Sequence, residues 1–153
     1  MGRGHGRLRF APQDVTTQLH LTWSLNNILS SPTNILLSII EIGAYPNFTP
    51  LYQQAGYEVV IERSVRKALS QVRRLKPAVV VAEFNFQSDF RDRTSSLESL
   101  LAVVQTLPGT RVIVFYDLEQ SHQFERLRAR FTIETVLAYP IDPQKLSAAL
   151  ALP

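Results

Sequence analysis

Glu83 is the residue of this chain best placed to do chemistry. It closes the apolar run Ala78-Val79-Val80-Val81-Ala82 and stands just before Phe84. A short run rich in β-branched residues reads as a buried strand of a parallel sheet. Ligands in open α/β sheets gather at the carboxyl ends of such strands. Glu83 is therefore either a group with a functional role or a strand-end acid hydrogen-bonded to nearby backbone amides or to a tyrosine. The other candidates have poorer spacing. Asp89, Asp92 and Asp117 could be grouped with Glu83 as a metal cluster, but their spacing matches no ligand pattern, and aspartate is an ordinary turn residue. His5, His20 and His122 are scattered, no serine lies in a nucleophile elbow, and Gly2, Gly4, Gly6 and Gly43 open no phosphate-binding strand–helix unit. The expectation is a chain with no catalytic residues, no metal and no cofactor.

Length and composition bound the rest. A chain of 153 residues, 45% hydrophobic and 19% charged, is globular and large enough for one domain with a sizeable core. With no cysteine, disulfides and thiolate metal sites are excluded, which suits a reducing, cytoplasmic setting. No apolar run approaches the roughly 18 residues of a membrane span, and the basic start over residues 1–9 is not followed by the apolar stretch of a secretory signal. The net charge of +3 is too small to argue for nucleic acid.

The elements that must position Glu83 alternate in type after Pro32. Residues 34–41 read as a first strand interrupted only by Ser38, residues 46–55 as a short helix stopped by Gly56, and residues 57–62 as a second strand. Ser64 is an N-cap for a helix with Val65, Ala68, Leu69, Val72 and Leu75 on one face, ended by Lys76-Pro77. Arg63, Arg66, Lys67, Arg73, Arg74 and Lys76 give this helix a basic surface, by default a solvated face. The run ending at Glu83 follows, then a polar loop over 85–94. Ser95 with Glu98 predicts a capping box for a helix carrying Leu97, Leu100, Leu101, Val104 and Leu107. Residues 111–116 are a fourth strand. Ser121 is expected to cap a helix with Phe124, Leu127 and Phe131 inward and Arg126, Arg128 and Arg130 outward. A fifth strand over 135–138 leads to Asp142-Pro143, an N-cap with proline at the first helical position. Strands alternating with helices demand a parallel sheet covered on both faces, a three-layer α/β/α sandwich.

Residues 1–32 stand apart as an extension: a Gly/Arg-rich tail, then residues 18–26, where Leu19, Leu21, Trp23 and Leu25 alternate with polar residues. The alternation favours a strand, docked on the sheet edge or pairing two copies into a homodimer, although Val15, Leu19, Thr22 and Asn26 also fit helical spacing.

Five phrases in order resemble the receiver domain of two-component response regulators: Asn34-Ile35-Leu36-Leu37, Ala55-Gly56-Tyr57-Glu58-Val59, Lys76-Pro77-Ala78-Val79-Val80-Val81, Arg111-Val112-Ile113-Val114, and Tyr139-Pro140-Ile141-Asp142 with Pro143 and Leu146. The resemblance covers residues 33–153 and implies a flavodoxin-like five-stranded parallel sheet of order 2-1-3-4-5. It also implies a site made of an aspartate that accepts a phosphoryl group, an acid pair that holds Mg²⁺, a Ser or Thr, and a lysine. In this chain Glu83 takes the acceptor position, and the acid pair falls on Ile39 and Ile40, with Glu41 the nearest carboxylate. Tyr116 takes the hydroxyl position and Tyr139 the lysine. Pro140, which follows a cis peptide bond in the family, is kept, and Gln87 stands where a loop proline is usual.

Isoleucines cannot ligate a hard cation, a tyrosine supplies no fixed positive charge, and a misplacement of about 1 Å can cost roughly 100-fold in rate. The resemblance with these departures implies a degenerate receiver that cannot be phosphorylated. It would act in bacterial, cytoplasmic signalling by contact with a protein partner, through the face carrying Tyr116, Phe124, Arg128 and Tyr139. Nucleic acid, bound through the basic tail and second helix, and a small molecule, held between Glu83, Tyr116 and Tyr139, are the alternatives. Tyr116 and Tyr139 either line such a pocket or fill the space of the missing site.

Overall fold

The computed structural model describes residues 34–86 and 95–151; the readings for 1–32 and for most of the 85–94 loop lie outside the described residues. Five parallel strands, β1 (Ile35–Ile39), β2 (Glu58–Glu62), β3 (Val79–Glu83), β4 (Arg111–Tyr116) and β5 (Thr135–Ala138), form one sheet in the order β2-β1-β3-β4-β5. The helices between them are α1 (Thr49–Gln54), α2 (Val65–Leu75), α3 (Leu97–Val104), α4 (Ser121–Arg128) and α5 (Pro143–Ala151). This is the doubly covered sheet and the strand order that the phrases implied.

Alternation along each strand divides the core into two layers. Leu37, Ile39, Val80, Ala82 and Val114 meet Val65, Ala68 and Val72 of α2, Leu97, Leu100 and Leu101 of α3, and Phe124 and Leu127 of α4. On the other face Leu36, Val79, Val81, Ile113 and Phe115 meet Phe48, Tyr52 of α1, and Leu146, Ala149 and Leu150 of α5. β3 is paired on both edges and buried throughout, which explains its unbroken apolar run. Each such valine contributes on the order of 1.5–3 kcal/mol by leaving water.

The helix ends show where local signals held and where tertiary contacts displaced them. Gly56 sits at φ +96, with its N–H donating to Gln53 O and the N–H of Tyr57 to Tyr52 O, so it ends α1 as expected. Ser64 accepts from the N–H of Lys67 at 3.4 Å, and Lys76 ends α2 in the left-handed conformation before Pro77. Asp142 accepts from the N–H of Gln144 at 2.8 Å.

Two caps differ. Ser121 is the first residue of α4, not its cap; it follows a 3-10 turn over Leu118–Gln120, capped by Asp117, whose Oδ1 accepts from the N–H of Glu119 at 2.9 Å. The Ser95/Glu98 capping box does not form. Ser95 Oγ accepts from the N–H of Leu97 at 3.2 Å, while Glu98 is buried, only 4% exposed, and takes a 2.6 Å bond from Arg130. Both choices are charge-assisted, but the guanidinium brings a full opposite charge to a carboxylate that is otherwise buried. Arg130 is therefore not simply an outward residue. Its replacement by methionine strands a buried carboxylate and is expected to cost about 1–3 kcal/mol. The double variant Glu98→Leu/Arg130→Met should recover most of that loss in urea denaturation.

Candidate functional site

The carboxyl end of β3 lies between the ends of β1 and β4, so Glu83 emerges where three loops converge. Its carboxylate is fully engaged by the loop after β1. Oε1 accepts the N–H groups of Glu41 and Ile42 at 2.5 and 2.6 Å, and Oε2 accepts that of Gly43 at 2.8 Å. Three successive amides facing one carboxylate make a backbone nest, an arrangement that suits an anion. Charge-assisted bonds of this kind are about twice as strong as neutral ones. Glu83 is 6% exposed, so little water competes for it. Of the two readings open for this residue, the geometry is that of a strand-end acid bonded to backbone amides.

Glu41 also has work of its own. Its Oε1 accepts from the N–H of Val65, the first residue of α2, at 2.7 Å, and its Oε2 accepts from the Ser96 hydroxyl at 3.3 Å. A carboxylate at a helix N-terminus satisfies an orphan donor and meets the positive end of the dipole. Ile39 is buried against α2 and α3, and Ile40 is turned to the opposite face against the α1 and α5 layer. The residues at this edge do not fit Mg²⁺. The isoleucines offer no oxygen, and both carboxylates are already committed to backbone N–H groups. Among the described residues no three of the His, Asp and Glu side chains come together in a way that could hold a metal ion. Asp117 caps the 3-10 turn, and Asp89 and Asp92 lie outside the described residues.

The proposed grouping of Glu83 with Tyr116 and Tyr139 needs correction. The residue of β4 in register with Glu83 is Phe115, and Tyr116, one residue on, projects from the other face. There Tyr116 stacks on Phe124 with ring centroids 4.5 Å apart. A one-residue step along a strand always reverses the face. Tyr139 stays on the near side, followed by Pro140 across a cis peptide bond.

The residue that meets Tyr139 is Tyr45, which the sequence reading missed. Its ring is 5.8 Å from Tyr139 and 5.2 Å from Phe115. A Cβ added at Gly43 would run into both the Glu83 carboxylate and the Tyr45 ring, so the three residues are in close contact. The available signal was Gly43 followed by Tyr45-Pro46 in a segment otherwise read only as the approach to a helix. Phe124, named as part of a partner surface, is 1% exposed and belongs to the core. Arg128 is exposed with a Glu125 ion pair at 3.3 Å, and Tyr139 is exposed.

Burial pushes the Tyr45 phenol up to about 12, helped by the charges of Glu83 and Asp117 and by Tyr139. Burial also pushes the Tyr52 phenol up. A tyrosine in the unfolded chain ionises near 10.0 while folded Tyr45 keeps its proton. The native state then binds more protons than the unfolded state, so stability is complete below about pH 10 and falls toward pH 12. Tyr45 is half-buried, and solvent screening keeps its share below the full linkage value. Thermal melts at about pH 9.5 and about pH 11.5 should show a smaller drop in Tm for Tyr45→Phe than for the parent chain.

No family model matches the chain, and no curated protein matches it. Solved structures do. A response regulator receiver domain from Clostridium thermocellum superposes with a TM-score of 0.60 at 18% identity, over 76% of this chain and 90% of that one. Chemotaxis protein CheY4 of Vibrio cholerae gives 0.58 at 21% identity, over 76% and 94%. A response regulator protein from Burkholderia multivorans gives 0.57 at 24% identity, over 78% and 95%. The fold is that of a receiver domain.

Proposed function

We propose that this chain is a receiver-like module that is not phosphorylated and that works in bacterial signalling by contact with a partner protein. The observation that carries this reading is the capture of the Glu83 carboxylate by the amides of Glu41, Ile42 and Gly43. Either oxygen that could attack a phosphodonor is held as a hydrogen-bond acceptor, and Tyr45 lies close beside them at Gly43. Phosphoryl transfer depends on positioning and on charge stabilisation by a metal and cations, and the described residues at this edge are arranged for neither. The nest that holds Glu83 instead ties β3 to the loop after β1 and favours a single conformation. Among the described residues no group at this edge is arranged for catalysis, which supports a binding role over an enzymatic one.

The partner surface in this proposal is the outer face of β4, α4 and β5, where Leu118, Arg128 and Tyr139 are exposed. Phe124 lies beneath that face and supports it through Tyr116. No helix among the described residues is long and apolar enough to cross a membrane. Incubation with acetyl phosphate and Mg²⁺, or with beryllofluoride and Mg²⁺, tests the central point. The expected result is an unchanged intact mass and unchanged amide resonances for Glu41, Ile42 and Gly43. A stable adduct on Glu83, or movement of those resonances with beryllofluoride, would overturn the reading.

A further inference from the structure

The six residues of α1 are too few to roof the carboxyl ends of β1 and β2, and a cleft of about 470 Å³ is left open there. The nest residues Glu41, Ile42 and Gly43 and the neighbouring Tyr45 form part of its wall. The volume falls within the range of small-molecule sites. Its walls are aromatic, formed by Phe48, Tyr52 and Phe115, and Ile42 and Ile61 line it while 67% and 58% exposed. Two isoleucines this exposed at a concave site leave apolar surface that a ligand would cover.

Two polar features stand out against these walls. Ser38 interrupts the apolar run of β1, lines the cleft, and is nine-tenths buried. Its hydroxyl has no hydrogen-bond partner among the described residues. Because Ser38 lines the cleft, its hydroxyl can donate to or accept from a polar group of a ligand seated there. Arg63 lines the same cleft and is exposed. The nearby carboxylates have partners of their own: Glu41, which also lines the cleft, accepts from Val65 N–H and the Ser96 hydroxyl, and Glu62 accepts from the backbone N–H groups of Arg63 and Ser64. The guanidinium is then the charge available to an incoming anion, and its fork matches a carboxylate.

We infer that this cleft binds a small aromatic monocarboxylate, its ring among Phe48, Tyr52 and Ile61, its polar groups shared between Ser38 and Arg63. The site goes beyond the partner-binding role proposed above, and its success or failure has no bearing on phosphoryl transfer at Glu83.

Titration of the full chain with indole-3-acetate and cinnamate, each against its neutral carboxamide, tests the inference by calorimetry and amide chemical shifts. The acids should bind saturably and about tenfold more tightly than the amides, with shifts centred on Ser38, Ile61 and Arg63. Arg63→Gln, an exposed change that leaves the fold intact, should abolish the preference for acid over amide. Ser38→Val should weaken binding of all four probes while thermal stability is held or raised. Absence of saturable binding by either acid, equal binding of acid and amide, or shifts centred elsewhere would overturn it.

Discussion

Replacing Glu83 by glutamine is expected to destabilise the domain by about 2–4 kcal/mol, the loss of one charged acceptor from a buried three-amide nest. Glutamine keeps one oxygen and can still serve the N–H groups of Glu41 and Ile42. Its NH₂ group would face the N–H of Gly43, donor against donor, where the carboxylate now accepts at 2.8 Å. The charge that strengthens the other two bonds is lost as well. Urea denaturation measures the cost, and hydrogen exchange localises it: the amides of Glu41, Ile42 and Gly43 should lose protection ahead of β3 itself. A change below about 0.5 kcal/mol would mean that the loop after β1 is held by something other than this carboxylate.

Gly43→Ala is expected to cost about 2–3 kcal/mol, for a reason of space and not of backbone conformation. Gly43 is not among the residues with positive φ, whereas Gly56 is. The added methyl would press on the Glu83 carboxylate and the Tyr45 ring together. Neither can retreat cheaply, because Glu83 is held by three amides and Tyr45 lies between Phe115 and Tyr139. The cost should therefore depend on its neighbours. In a double-mutant cycle with Glu83→Ala, the Gly43→Ala penalty should shrink by at least about 1 kcal/mol. Additive losses would show that the three residues do not act as a unit.

Under the proposed function, these two effects would set this edge apart from a site built for transfer. A transfer site leaves its acceptor oxygen free to attack and spends its donors on the incoming group. Here the donors already face an acceptor that belongs to the chain. The anion the nest would otherwise attract is supplied by Glu83 itself, and the Tyr45 ring packs beside it at Gly43.

Much of the fold could be read from local pattern. The apolar runs at Ile35–Ile39 and Val79–Glu83 mark buried parallel strands. Gly56, Ser64 and Asp142 mark helix boundaries through backbone chemistry that reaches no more than a few residues. Where a side chain had a distant partner, local reading failed. Glu98 has capping-box spacing from Ser95 but meets Arg130, 32 residues away. Ser121 resembles a cap, yet Asp117 does the capping because a 3-10 turn intervenes.

The candidate site divides in the same way. Sequence alone determined that a carboxylate would close the buried strand Val79–Glu83, which follows from residue identity and strand pattern. Only the tertiary structure decided what that carboxylate does. The phase of β4 chose Phe115 over Tyr116 as its neighbour, and the path of the loop after β1 delivered three amides and Tyr45 to it. Those contacts join residues about 40 positions apart. They are set by strand register and loop closure, which depend on the packing of the whole sheet and leave no periodic mark in the sequence.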